Sequence, residues 1–266
     1  MEQSQLTHNF FYFRVFCALI RREICVLKQD LRARLIDGIA PVLSQVLVLG
    51  YLFDRMGMSQ SLIGPAYAGT VLQLSFFVSY SMAQNLKFDL KHDRFFEYQL
   101  TLPLPKSLLL ATYATTLLVN ITCITLPLFG LGIPLLANKI DLSSANWFAF
   151  IGIFLLSALL FSLLMLFFVF RYDFDWFWDN LWARRLSPIF NLSAAVFLWH
   201  QTSLFSPTLG WLLLLNPITY AAEGIRAALL QGTFLPLWAC FAGLIFFNTL
   251  LWIALMRSLT KSLDPV

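Results

Sequence analysis

Glu223 and Arg226 stand three residues apart in the stretch Asn216-Pro217-Ile218-Thr219-Tyr220-Ala221-Ala222-Glu223-Gly224-Ile225-Arg226. On a helix that spacing puts a carboxylate and a guanidinium on one face, where they can pair. The surrounding residues 209–231 are mostly apolar. In a poorly hydrated segment an unpartnered charge costs on the order of several kcal/mol. Two solvated charges at a surface are the other reading, worth under about 1 kcal/mol together. The paired reading predicts that Glu223→Ala impairs folding or activity and that exchanging the two charges restores part of the loss. Pro217 at a first helical position, with Asn216 as the cap before it, starts the helix that carries the pair and Tyr220.

Other reactive groups make no catalytic constellation. His8, His92 and His200 are far apart in sequence. No lysine follows a glycine, so there is no P-loop; His-Glu-x-x-His and Gly-x-Ser-x-Gly are absent too. Asp173, Asp175 and Asp179 suggest a cation site, but aromatic residues flank them and no glycine turn follows, unlike a calcium loop. Cys17, Cys25, Cys123 and Cys240 are scattered, with neither metal nor disulfide spacing, and read as small core hydrophobes. His200, beside Trp199, is the one ionisable group at its level, and reads as an interfacial histidine before a functional one.

The elements that must position these residues are apolar. The chain is 59% hydrophobic and 12% charged over 266 residues, with a mean hydropathy of +0.74. Soluble domains carry about 25% charged residues. Six runs are long enough to cross a bilayer: 36–53, 66–84, 107–136, 146–170, 187–205 and 234–256. Lys and Arg fall in alternate gaps. Arg14, Arg21, Arg22, Lys28, Arg32 and Arg34 precede the first run; Lys87, Lys91, Arg94 and Lys106 follow the second. Arg171, Arg184 and Arg185 follow the fourth, and Arg257 and Lys261 end the chain. The other gaps hold one each: Arg55, Lys139 and Arg226. Six crossings with both termini cytoplasmic satisfy the positive-inside rule at every gap. No gap exceeds about 30 residues, too few for a separate globular domain. The basic residues sit beside membrane spans and meet lipid head groups, so the net charge of +4 does not point to nucleic acid. The N-terminus does not read as a signal peptide: Arg14 interrupts its first apolar cluster and no small-residue cleavage site follows.

Within that frame, residues 9–35 read as an amphipathic helix in the cytoplasmic interface. Phe13, Phe16, Ile20, Ile24, Leu27 and Leu31 form one face, with Arg14, Arg21 and Lys28 on another. The second run carries Thr70, Gln73, Ser75, Ser79, Ser81 and Gln84, as a helix facing protein or water does. Pro127, Pro134, Gly130 and Gly132 predict a kink or loosened helix in the third run. The apolar fourth run reads as a lipid-facing or packing helix. Residues 171–186 alternate aromatics and acids, as an interfacial belt on the cytoplasmic side does; a specific lipid or partner contact is the other reading. Residues 209–231 are apolar but broken at Asn216-Pro217, so they read as a re-entrant segment on the outer side. The fold class is therefore an all-α integral membrane protein: one membrane domain over 1–266 with six transmembrane helices, an N-terminal interface helix and an outer re-entrant segment.

The chain resembles the membrane permease subunits of type-2 ABC exporters, which export polysaccharides, nodulation factors and drugs. The strongest match is Asn216-Pro217-Ile218-Thr219-Tyr220 with Glu223 and Arg226. A second is Glu97-Tyr98-Gln99-Leu100-Thr101-Leu102-Pro103-Leu104, although Arg94-Phe95 stands where that family often has Gly-Thr. The resemblance implies a homodimer in the bacterial inner membrane that exports a lipid-linked, glycan or hydrophobic substrate. A separate cytoplasmic ATPase would bind ATP and Mg, with no cofactor and no catalytic residue on this chain. It also implies that residues 87–100 are the coupling helix, with Phe95, Phe96 and Tyr98 as aromatic anchors and Asp93, Arg94 and Glu97 as polar contacts. A surface helix stabilised by lipid is the other reading of that segment. The path would lie between two permeases along the first, second and fifth spans, with Gln73, Ser79, Phe197 and Trp199 as lining residues. The alternatives are a six-span secondary transporter or channel, which needs intramembrane acids or an inverted repeat, and an intramembrane enzyme, for which no site is visible.

Overall fold

A computed structural model describes residues 2–56, 62–93, 95–101, 104–137, 139–195 and 197–263, with the side chains of 2–11, 13, 54, 95, 97 and 260–263 outside the description. The described residues contain no strand. Helix α1 (Glu2–Leu47) runs into a π-helical turn, Val48–Leu52, and a last turn, α2 (Phe53–Arg55). The structure keeps 9–35 and 36–47 as one helix, with no corner between an interface helix and a span. No Gly or Pro stands between Arg14 and Asp37 to break it, and Pro41 removes only one backbone donor.

Helix α3 (Ile63–Lys91) leads to α4 (Phe95–Leu100), α5 (Lys106–Leu135) and α6 (Trp147–Arg171). Helix α5 runs unbroken through Pro127 and ends one residue after Pro134. Gly132 instead permits a close approach: a Cβ there would lie 2.1 Å from the Tyr67 hydroxyl. Asn146 caps α6, its side chain accepting from the Ala149 N–H at 3.1 Å. Four helices are long and apolar enough to cross a membrane: Arg14–Leu52, Lys106–Leu135, Trp147–Arg171 and Leu237–Leu259. With 29 residues α3 is as long, but its hydroxyl and amide side chains make it less apolar. Helix α6 is the centre of the bundle, packed by α3, α5, α11 and α12. Its most apolar stretch is 72% buried against 22% for that of α1, so it is a packing helix.

The largest departure from the sequence reading lies after α6. Run 187–205 is not one helix. Helix α7 (Phe174–Leu181), a π-helical turn at Trp182–Leu186 and α8 (Ser187–Asn191) follow one another directly and form a rod antiparallel to α3. Lys91 pairs with Asp175 at 3.4 Å at one end. The Trp182 ring lies 5.2 Å from Phe77 and 5.1 Å from Tyr80. Asn216, beyond the far end, donates to the Ile189 carbonyl at 2.6 Å. Residues expected as a cytoplasmic belt thus begin this rod. Phe177, Leu181 and Leu186 are fully buried along one face, and the wider π turn keeps Leu186, five residues on, in line with Leu181. The outward face holds Asp175, Asp179, Arg184 and Arg185, which is why the composition reads as an interfacial belt.

Irregular residues follow to α9 (Trp199–Phe205), then α10 (Pro207–Leu213), α11 (Pro217–Leu229) and α12 (Leu237–Leu263). Helix α11 is wedged against α3, α6 and α12. Near its start Tyr220 packs 5.9 Å from Phe247, ten residues into α12. Near its end the Ala228 carbonyl accepts from the Asn146 N–H at 2.7 Å, where α6 begins.

Candidate functional site

Breaking a helix inside an apolar bundle frees carbonyls that have no water to bond. The chain breaks after α8, and α11 supplies the missing donors. Asn216 serves both sides: its Oδ1 accepts from the Ile218 N–H at 3.0 Å, and its Nδ2 donates to the carbonyls of Ile189 at 2.6 Å and Leu192 at 3.2 Å. Pro217, with no N–H to satisfy, takes the first helical position. Thr219 donates to the Leu213 carbonyl at 2.8 Å.

Arg226 does the rest. Its Nε donates to the Pro65 carbonyl at 3.0 Å, Nη2 to Ala195 at 2.9 Å, and Nη1 to Phe197 at 2.9 Å and to Ala194. Nη1 also meets Glu223 Oε1 at 3.1 Å. Glu223 accepts from the Trp199 N–H at 3.2 Å and, through Oε2, from the Leu235 N–H at 3.4 Å. The two side chains are 1% and 0% exposed, so the pair is buried and not solvated. Gly69 lets the broken segment come this close, because a Cβ there would lie 2.5 Å from the Ala195 carbonyl oxygen. The arrangement joins α3, α11 and the irregular stretch, and neither Glu223 nor Arg226 has a buried side-chain atom without a hydrogen-bond partner.

The candidate coupling residues lie at the other end of the bundle. Phe96 is 2% exposed and packs on Tyr113 at 5.3 Å and Phe170 at 5.0 Å. Its N–H donates to Asp89 Oδ2 at 3.1 Å, which fixes α4 to the end of α3. Tyr98, at 63% exposed, and Asp93 face outward. Arg94 lies outside the described residues, as do the side chains of Phe95 and Glu97 on α4. Lys87, read from the sequence only as a topology charge at the start of 87–100, is buried and donates to the Val169 carbonyl at 2.7 Å and to that of Tyr172, capping the end of α6. Lysine after an apolar run reads as topology, so only packing could reveal it.

The candidate path residues separate. Gln73 meets Gln45 across α1 and α3 at 3.4 Å and lines a cavity of about 200 Å³ with Tyr67, Thr70 and Phe77. Ser79 is fully buried, its hydroxyl donating to the Phe76 carbonyl at 2.7 Å. Phe197 contributes its carbonyl to Arg226, and Trp199 donates its indole N–H to the Gly210 carbonyl at 3.0 Å. His200 lines a cavity of about 400 Å³ with Lys139, Asp141, Gln231 and Thr233. There the hydroxyl and N–H of Ser143 hold the Asp141 carboxyl below the usual carboxylate range. No group of three or more His, Cys, Asp and Glu suited to a metal occurs among the described residues.

A family model described as ABC-2 type transporter matches the chain over residues 14–230. Comparison with curated proteins and with solved structures gives no match.

Proposed function

Because the chain belongs to the ABC-2 type transporter family, we propose that it is the permease subunit of an exporter: two copies enclose a path in the bacterial inner membrane, and a separate cytoplasmic ATPase binds ATP and Mg to drive it. The observation that carries this reading is the family match over most of the chain, on a protein whose sequence has no P-loop of its own. Export, and a lipid-linked, glycan or hydrophobic cargo, rest on the resemblance set out above.

Six crossings are α1, α3, α5, α6, the α7–α8 rod and α12. The fifth is residues 174–191 in place of 187–205. The charge bias supports this assignment even with Arg184 and Arg185 taken out of the cytoplasmic set, since the three outer gaps still hold one basic residue each. Helix α11 is re-entrant in this reading. Its start lies level with Phe247 inside the bundle and its end level with Asn146 at the outer surface. Asp93 and Tyr98 present the docking surface for the ATPase, with Phe96 holding that surface on the bundle.

Affinity purification of the tagged chain from native membranes tests the reading. An ABC ATPase should co-purify, and proteoliposomes of the pair should couple cargo movement to ATP hydrolysis. Movement down an ion gradient by this chain alone is the result that a secondary transporter or channel requires, and it would overturn the proposal.

A further inference from the structure

The π-helical turn Trp182–Leu186 carries Arg184 and Arg185 side by side. Its depth can be read from its neighbours. Phe76 lies near the middle of α3 and packs 5.5 Å from Phe161, near the middle of α6. Trp182 and Phe190 both reach Phe76, at 6.1 and 5.0 Å. The two arginines fall between those two contacts, level with the centre of helices that cross the bilayer.

Guanidinium groups at that depth face a bundle interior or a wet cavity, not lipid. Phe177, Leu181 and Leu186 take the packed side of the rod, and Arg184 and Arg185 are exposed. Trp182, half-buried beside that face, stacks on Phe77 at 5.2 Å, and Phe77 lines the cavity holding Gln45 and Gln73. Amide and aromatic side chains thus form one strip along α1, α3 and the rod, and the two arginines stand exposed two and three residues beyond Trp182. Neither arginine has an ion pair among the described residues. Asp179, more than a turn closer to the cytoplasm, is also exposed.

We propose that Arg184 and Arg185 form an anion site in the path that takes the phosphate group of an amphiphilic molecule. This rests on the permease reading above. Two guanidinium forks match the charge of about −1.5 to −2 on a phosphate monoester better than the single charge of a carboxylate, and their planar donors suit its oxygens. The two stems leave the turn in different directions, and their length and rotamer freedom let both heads swing onto one group.

The test is equilibrium binding of radiolabelled dodecyl phosphate to the full chain in phosphatidylcholine nanodiscs, with dodecyl maltoside as a neutral competitor. The wild type should bind saturably and resist that competitor. The double variant Arg184→Gln with Arg185→Gln should lose about tenfold or more in affinity, the scale of one charge-assisted hydrogen bond. The Lys pair should keep part of it, and Arg32→Gln on the exposed side of α1 should keep all of it. If the double variant does not insert, the single Gln variants carry the same test with smaller losses. Displacement of the probe by phosphatidylglycerol in the disc assigns the site to membrane lipid; persistence assigns it to cargo. Unsaturable binding by the wild type, or equal binding by a folded Gln variant, overturns the site. A chain that captures its ATPase yet shows no arginine-dependent binding overturns this inference alone. One that binds the probe but captures no ATPase overturns the permease reading alone.

Discussion

Arg226 places its guanidinium on four carbonyls from two parts of the chain and on one carboxylate. Removing it leaves Glu223 buried without a counter-charge and four acceptors short of donors. Arg226→Ala should therefore destabilise the protein by about 3–5 kcal/mol, the range for breaking one side of a buried pair, read as a lower melting temperature in detergent. Arg226→Lys should recover little, since an ammonium lacks the fork that reaches Pro65 and Ala195 together. The sequence suggested partial rescue by exchanging the charges. The structure predicts none, because a carboxylate at 226 would face carbonyl oxygens. A swapped variant as stable as the wild type would refute this account. The pairing of Glu223 with Arg226 was legible from a three-residue spacing. The carbonyl partners were not, since acceptors on the backbone leave no trace in residue identity.

At the level of elements, α4 and α3 each make a separable prediction. Phe96→Ala opens a cavity between Tyr113 and Phe170 and should cost about 3–5 kcal/mol of stability, seen in thermal melts with or without a partner. Tyr98→Ala should leave the melt unchanged and weaken ATPase capture by about 2 kcal/mol. Equal ATPase capture by a folded Tyr98→Ala would move the docking surface elsewhere. Gly69→Val drives a side chain against the Ala195 carbonyl and should cost about 1–3 kcal/mol, whereas Gly130→Val, with open space around its Cβ, should cost less. The long helices α3, α5, α6 and α12 were legible because hydropathy and charge report them directly, whereas α1 was read as an interface helix and a separate span that the structure joins. The α7–α8 rod was not. Its buried face is three residues, Phe177, Leu181 and Leu186, stepped by four and then five. A five-residue step fits no regular period, and the polar outward side hid the rest.

For the whole molecule, topology is the property to measure. Single cysteines in a cysteine-free background should react with an impermeant maleimide from outside at Lys139→Cys, and only from the cytoplasmic side at Lys91→Cys. Outside labelling at 91 would sink the arrangement. Position 226, read from charge alone as an outer loop residue, should resist the reagent from both sides, since it is 1% exposed. The bond between Arg226 and Ala194 also fixes an order in time. The partners are 32 residues apart, and ribosomes add about 5–20 residues per second. For about 2–6 s during synthesis the break after α8 exists before the side chain that satisfies it. The nascent α7–α8 rod must wait among neighbouring helices until α11 arrives, so chains stalled before residue 226 should be the ones that quality-control proteases remove.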